Sequence, residues 1–224
     1  MKVKFFVMGI MMFMQSISVF AYENIVTHSE GVAITFDACD GKTDFRILEL
    51  IKEKQIPVTL FVTTKWMNKN AEAIAFIKEN SKLFKIENHG FSHLEAVLAN
   101  EGAYHLKTVK NEEGLKHEVL ENREKIDKTF GIKSNYYRTA GALYDESSLK
   151  WLERQNIKVG GYTIAADEGA KASKERIVKN LSRVKVTDVV LMHINHPDSQ
   201  IYEGFKEGLP LMQAKGLTFE FLKD

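Results

Sequence analysis

The chain has 224 residues, 44% hydrophobic and 27% charged, the proportions of a globular protein rather than a disordered one. Its 31 basic and 30 acidic residues leave a formal charge of +1, which gives no electrostatic case for nucleic acid or an anionic membrane surface as partner. Cys39 is the only cysteine, so there is no internal disulfide and stability must come from the core.

The first 21 residues differ from the rest. Met1-Lys2-Val3-Lys4 is basic, Phe5 to Met14 is apolar, and Val19 and Ala21 satisfy the small-residue rule of a signal-peptidase site. The apolar run is shorter than the roughly 20 residues a spanning helix needs, so residues 1–21 read as a cleaved signal peptide. The expectation is a secreted or periplasmic protein with no stable membrane anchor after cleavage. Residues 22–224 then have the length of one domain.

Gly31 to Phe36 is the first apolar, β-rich run, and it ends at Asp37. A helix is expected from Asp44 to Lys54, with Phe45, Ile47, Leu48 and Ile51 on one face and Asp44 as its N-cap. Val58 to Thr63 reads as a second, fully buried strand, residues 71–79 as a helix, and Leu83 to Ile86 as a third strand running into His89. Tyr104 to Phe130 is charged with spaced apolar residues, a long solvated helix stopped by Gly131. Asn135 to Arg138 reads as the fourth strand, Asp145 to Gln155 as a helix, and Val159 to Ile164 as the fifth strand. A helix capped by Ser173 follows, then a sixth strand from Asp188 to His193, a helix near Phe205–Lys215, and a last strand from Leu217 to Phe221. This alternation predicts a distorted or incomplete (β/α) barrel of about seven parallel strands in a single domain. No Gly-rich nucleotide loop follows the first strand, as an open doubly wound sheet would often carry.

Catalytic groups of such folds collect at the carboxyl ends of strands. Strand one ends in Asp37, strand three in His89, strand four in Arg138 and strand six in His193, with Asp167 just past strand five. Each alone has a bland reading as a helix cap, an ion pair or a hydrogen-bonded core histidine; together they point to one mouth. His89 and His93 are spaced to present two imidazoles to one metal ion.

Ile34-Thr35-Phe36-Asp37, His89-Gly90-Phe91-Ser92-His93, Arg138-Thr139-Ala140-Gly141, Asp167 and Leu191-Met192-His193 resemble, in order and rough spacing, the motifs of the polysaccharide deacetylase family, the NodB-homology carbohydrate esterases. The resemblance covers Gly31 to Phe221. It implies metal-dependent removal of acetyl groups from sugars, with a polysaccharide such as peptidoglycan or another envelope glycan as substrate. It also implies a divalent metal, zinc being the expected ion. By the same resemblance His89 and His93 are metal ligands and Asp37 is the catalytic base. Arg138 orients that base, and His193 is the general acid, kept protonated by Asp167. Backbone amides near Gly141 and Leu143 help hold the oxyanion.

The first motif departs from the family pattern, which has a second aspartate directly after the first as the metal ligand. Here Asp37 is followed by Ala38-Cys39-Asp40. Asp40 is the preferred substitute ligand, reached through a bulge at Ala38-Cys39. Asp44, or Asp37 itself, are the alternatives, and Cys39 is a ligand for a soft metal or, preferably, an inert buried thiol. Tyr144 is a candidate for stacking on a sugar ring, Trp66 a core residue, and His196 a loop residue beside the proposed acid. His28, His105 and His117 have no assigned role. Two rival readings remain: hydrolysis of another non-peptide carbon–nitrogen bond, and a catalytically decayed glycan-binding module.

Overall fold

The computed structural model of the chain describes residues 27, 29–99, 102 and 106–223. The signal peptide expected over residues 1–21, and the residues His28, Tyr104 and His105, lie outside the described residues. No helix among the described residues is long and apolar enough to cross a membrane.

All strand pairings are parallel, in the order β5-β4-β3-β2-β1-β7-β6, with β8 beside β1. The strands are β1 (Val32–Ala38), β2 (Val58–Val62), β3 (Phe84–Asn88), β4 (Tyr136–Tyr137), β5 (Lys158–Val159), β6 (Ile164–Ala165), β7 (Val189–His193) and β8 (Phe219–Glu220). The two edges, β5 and β6, follow one another in the chain but do not pair, so the sheet curls into a barrel left open at that seam. The expected incomplete barrel is the observed fold.

Strand alternation sorts the side chains into two layers. Ile34, Phe36 and Ala38, Val58, Leu60 and Val62, Phe84 and Ile86, and Val190 and Met192 face outward into the main core. Helices α1 (Phe45–Lys54) and α8 (Ile201–Ala214) cover this layer with Ile47, Leu48, Ile51, Phe205 and Leu209. The intervening residues face the barrel interior, where Ala33, Phe61, Tyr136, Val189 and Leu222 form a separate apolar floor. Above that floor the inward positions turn polar: Thr35 and Asp37 on β1, Glu87 on β3 and His89 just after it, Arg138 after β4 and His193 on β7. One register fixes their height, because Asp37 lies opposite both Phe61 and His193, and Phe61 lies opposite Glu87.

Local signals set most helix ends. Asp44 accepts from Arg46 N (3.1 Å) at the start of α1, as expected, and Ser173 caps α7 (Lys174–Leu181) through Arg176 N (3.3 Å). Asp145 accepts from Ser148 N (2.7 Å) at α6 (Glu146–Arg154). The long charged helix begins at α4 (Glu112–Lys116), passes through a π turn at His117–Glu121, and ends with α5 (Asn122–Phe130), where Gly131 takes the left-handed conformation (φ 71°). The expected helix over 71–79 is α3 (Ala71–Glu79), and it is preceded by α2 (Thr64–Lys69), six residues too few to show periodicity in the sequence.

The fifth strand differs from expectation. Val159 to Ile164 is not continuous but split into β5 and β6 around Gly160 and Gly161, whose carbonyls turn inward to accept from Arg138 Nε (2.7 Å) and Nη2 (3.0 Å). Gly160 also lies against the edge of the Phe61 ring, where an added Cβ would stand 2.5 Å from two ring carbons. Phe61 is fully buried and has no room to retreat. Gly160→Ala is therefore expected to cost about 1–3 kcal/mol by overpacking, measured as a lower urea midpoint with unchanged slope.

Candidate metal and catalytic site

The polar layer opens into a cavity of about 840 Å³ at the carboxyl ends of the strands, lined among others by Asp37, Cys39, His89, His93, Tyr162 and His193. Behind Asp37 lies Arg138, fully buried. The guanidinium donates to Asp37 Oδ1 (2.7 Å), Thr35 Oγ1 (2.9 Å) and the two glycine carbonyls, and it stacks 4.0 Å above the Phe61 ring. Burial alone would push the Asp37 carboxyl up. The charge and hydrogen bond of Arg138, with help from His89 and His193, outweigh it and hold Asp37 below the usual carboxylate range.

His89 Nδ1 lies 2.7 Å from the carbonyl oxygen of Arg138. A carbonyl only accepts, so Nδ1 carries the proton and the Nε2 lone pair is free to face the cavity. There Nε2 meets Cys39 Sγ at 3.4 Å and Asp37 Oδ2 at 3.6 Å. Burial lowers the imidazole's proton affinity, and the neighbouring Asp37 and Cys39 more than restore it, so its pKa is raised. The His93 ring lies 4.9 Å from that of His89, at 65° to it. His93 sits at φ 58° on a loop clasped from below by Glu118, which accepts from Ser92 N (2.9 and 3.0 Å) and Leu94 N (2.9 Å). Glu118 comes from the π turn and is fully buried. A Cβ at Gly90 (φ 92°) would collide with it, so glycine is required at that turn.

On the opposite wall, His193 Nδ1 faces Asp167 Oδ2 at 3.0 Å and Oδ1 at 3.1 Å, and its backbone N–H donates to Oδ2 at 2.6 Å. Burial disfavours the imidazolium, but Asp167, itself fully buried, with a further contribution from Cys39, overrides it and raises the His193 pKa well above its ordinary value. The structure thus brings Asp37, His89, His93, Arg138, Asp167 and His193 to one mouth. Gly141 (φ 68°) and Ala142 (φ 53°) form a tight turn on the same cavity wall.

Asp40 is not part of this group. It turns away at the rim, where its Oδ1 pairs with Lys69 of α2 at 2.6 Å and accepts from Gly41 N at 2.7 Å. No bulge forms at Ala38-Cys39; β1 keeps its register through Ala38. Alternation therefore sends Cys39, not Asp40, to the same side as Asp37. Asp44 is spent on its cap and on Arg46 (2.7 Å). Among the described residues the one group of three whose ligand atoms could hold a metal is Cys39, His89 and His93, all within 4.8 Å of one another. Two imidazoles and a thiol fit a four-coordinate divalent ion with one position left open.

Other expectations sort by burial. Tyr144 is not at the rim: it is 1% exposed, and its hydroxyl donates to Tyr137 O and accepts from Thr139 N, both at 3.0 Å. Trp66 is in the core, its Nε1–H on Thr43 Oγ1 (3.0 Å). His196 lines the cavity beside His193, ring centres 5.9 Å apart. Tyr162 also lines the cavity; no sequence signal marks it, because the run from Val159 to Ile164 reads as a continuous strand. His117 packs on Phe91 and stays out of the site.

A model of the polysaccharide deacetylase family matches residues 24–160, more than half of the chain. The chain is 23% identical over 194 residues to a peptidoglycan-N-acetylglucosamine deacetylase of Bacillus cereus, a match covering 84% of this chain. It spans 65% of that relative's length. Among solved structures, a peptidoglycan N-acetylglucosamine deacetylase in complex with 4-naphthalen-1-yl-N-oxidanyl-benzamide superposes with a TM-score of 0.72 at 21% identity, covering 88% of this chain and 89% of that one. A CE4-family pseudoenzyme from Bacillus anthracis superposes with a TM-score of 0.67 at 15% identity, covering 86% and 65%. Both likenesses establish the shared fold.

The Arg138–Asp37 pair gives a stability test. Arg138→Leu leaves Asp37 buried without its cation, at an expected cost of about 3–5 kcal/mol near neutral pH. Because Arg138 holds the Asp37 pKa down, the pair's contribution is present above the unfolded carboxylate pKa and fades as pH falls through the folded one. The gap between wild type and Arg138→Leu in urea unfolding should therefore narrow below about pH 4; a gap constant from pH 7 to pH 3 would contradict the assignment.

Proposed function

The chain belongs to the polysaccharide deacetylase family, and from that premise we propose that it is a metal-dependent hydrolase removing N-acetyl groups from a sugar polymer. The substrate we assign is peptidoglycan or another envelope glycan, met in a secreted or periplasmic setting. The observation that carries this reading is the pairing of an ionised carboxylate, Asp37 on Arg138, with a protonated imidazole, His193 on Asp167, across one open cavity. The name of the Bacillus cereus relative supports the substrate, and the signal-like first 21 residues support the compartment.

Amide hydrolysis adds water across the acetyl carbon–nitrogen bond, giving acetate and a free amine. Asp37 is ionised and aimed, so it can take the proton of the attacking water. Arg138 keeps the carboxylate anionic but occupies only Oδ1, leaving Oδ2 toward the cavity. His193 presents its Nε2 side to the cavity while Nδ1 is held by Asp167, and it delivers the proton that the departing amine needs. The turn at Gly141 and Ala142 brings backbone amides to the wall where an oxyanion would form. His89 and His93, with a third donor, would hold the divalent metal, zinc by donor chemistry, which supplies Lewis-acid stabilisation of developing charge. Tyr162 offers a ring face to a sugar.

A second reading, a glycan-binding module without turnover, is favoured by one observation: no carboxylate joins His89 and His93 in the metal-binding group of the described residues. One assay separates the two. The deacetylase should release acetate from N-acetylglucosamine oligomers or peptidoglycan, and a chelator should abolish the release. Glycan binding without acetate release across such a panel would leave the binding module standing.

The pH dependence follows from the two pairs. A required His193 imidazolium is present at low pH and lost as pH rises through its raised pKa, so the alkaline limb of kcat/KM should lie well above 6.5. Asp167→Asn removes the charge that overrides burial and should move that limb to lower pH, leaving the acid limb set by Asp37 in place. An unmoved alkaline limb would remove His193 from the role of acid.

A further inference from the structure

We propose that Cys39 is the third protein ligand of the metal, making this a site of two imidazoles and one thiolate. The proposal rests on the reading of the chain as a metal-binding hydrolase and deepens it by naming the ligand and the class of ion.

Four observations converge on Cys39. The strand register places Asp37 level with Phe61 and Glu87, so two residues further on Cys39 stands level with Thr63 and His89. The ladder continues that far, with Thr63 N on Ala38 O (3.2 Å) and His89 N on Val62 O (3.0 Å). Second, the spacing fits. Tetrahedral bonds of about 2.3 Å to sulfur and 2.0–2.1 Å to nitrogen put neighbouring ligand atoms roughly 3.3–3.6 Å apart, and Cys39 Sγ lies 3.4 Å from His89 Nε2. Third, the residue is fixed from both sides: Asn195 Oδ1 accepts its N–H (3.3 Å), and Thr63 Oγ1 donates to its carbonyl (2.5 Å). The sulfur is thereby aimed into the cavity, where it belongs to the one group of three that meets the mutual spacing. Fourth, the carboxylates that follow Cys39 in the chain are engaged elsewhere, Asp40 on Lys69 and Asp44 on Arg46, while Asp37, held by Arg138 through Oδ1, is the proposed base.

A thiolate changes which ions the site takes. Soft sulfur favours zinc and its spectroscopic substitute cobalt(II), and disfavours magnesium, calcium and manganese, which prefer oxygen. Only the thiolate ligates, so metal affinity depends on pH.

The test uses the chain purified under a non-thiol reductant, stripped of metal and titrated with cobalt(II) or zinc alone. Wild type should bind one equivalent of cobalt(II) and show a thiolate-to-cobalt charge-transfer band in the near ultraviolet. Cys39→Ala should lose the band and weaken zinc binding by more than the roughly 10–100-fold typical of outer-shell partners. Asp40→Asn should keep both. Cys39→Asp guards against simple misfolding: it should regain cobalt binding without the band. Stoichiometric binding with no band in wild type, and affinity unchanged in Cys39→Ala, would overturn the thiolate ligand while leaving the metal-dependent hydrolase intact. Acetate release that continues with no metal bound to any variant would overturn both readings. A hydroxylamine-labile acetyl group trapped on Cys39 by substrate would overturn the ligand role in favour of a nucleophile.

Discussion

A fully buried guanidinium is the constraint on which the rest of this structure depends. Taking Arg138 out of water is costly unless its donors are answered, and two separate parts of the fold supply four acceptors. Thr35 and Asp37 come from β1, and the carbonyls of Gly160 and Gly161 come from the seam between β5 and β6. Its own carbonyl then orients His89. One residue therefore anchors the loop at the barrel's open seam, keeps the proposed base ionised and selects the tautomer of a proposed metal ligand.

Much of this arrangement is legible in the sequence. Runs rich in apolar residues that lead to Asp37, His89, Arg138 and His193 identify strands and their functional ends at once, because a parallel strand buried on both faces is mostly apolar until it leaves the core. The misreadings have physical reasons. The fifth strand breaks because Gly160 and Gly161 serve an arginine more than twenty residues earlier, a demand no local pattern records. Tyr144 looked like a rim aromatic, but two backbone groups satisfy its hydroxyl inside the core. Asp40 was chosen for its carboxylate, although its partner Lys69 sits on a helix too short to foresee. The rule that would have favoured Cys39 was available, since residues 37 and 39 share a face of a strand. The chemistry of aspartate outweighed the geometry of alternation.

The second layer around the histidines is as built as the first. Glu118 spends both oxygens on the loop that carries His93, and Asp167 does the same for His193 through ring and backbone. Burial works against the charged forms of Asp37, His89 and His193, and specific partners reverse it at all three. Perturbed groups concentrated at one cavity are what an acid–base site requires. Here they follow from placing ionisable side chains on the inner face of a barrel whose lower half is apolar.

That lower half has its own stopper. Leu222 closes the floor beneath Arg138, its N–H on Thr59 Oγ1 (3.1 Å) and its carbonyl taking the Lys85 ammonium (2.7 Å), while the Tyr136 hydroxyl donates to the carbonyl of Lys223. The chain's carboxyl-terminal stretch is thus seated at the amino ends of the strands, on the far side of the barrel from the cavity. An affinity handle or immobilising tether attached there would stand clear of a long glycan lying across the mouth, whereas trimming the final residues would uncork the apolar layer that keeps water from the arginine.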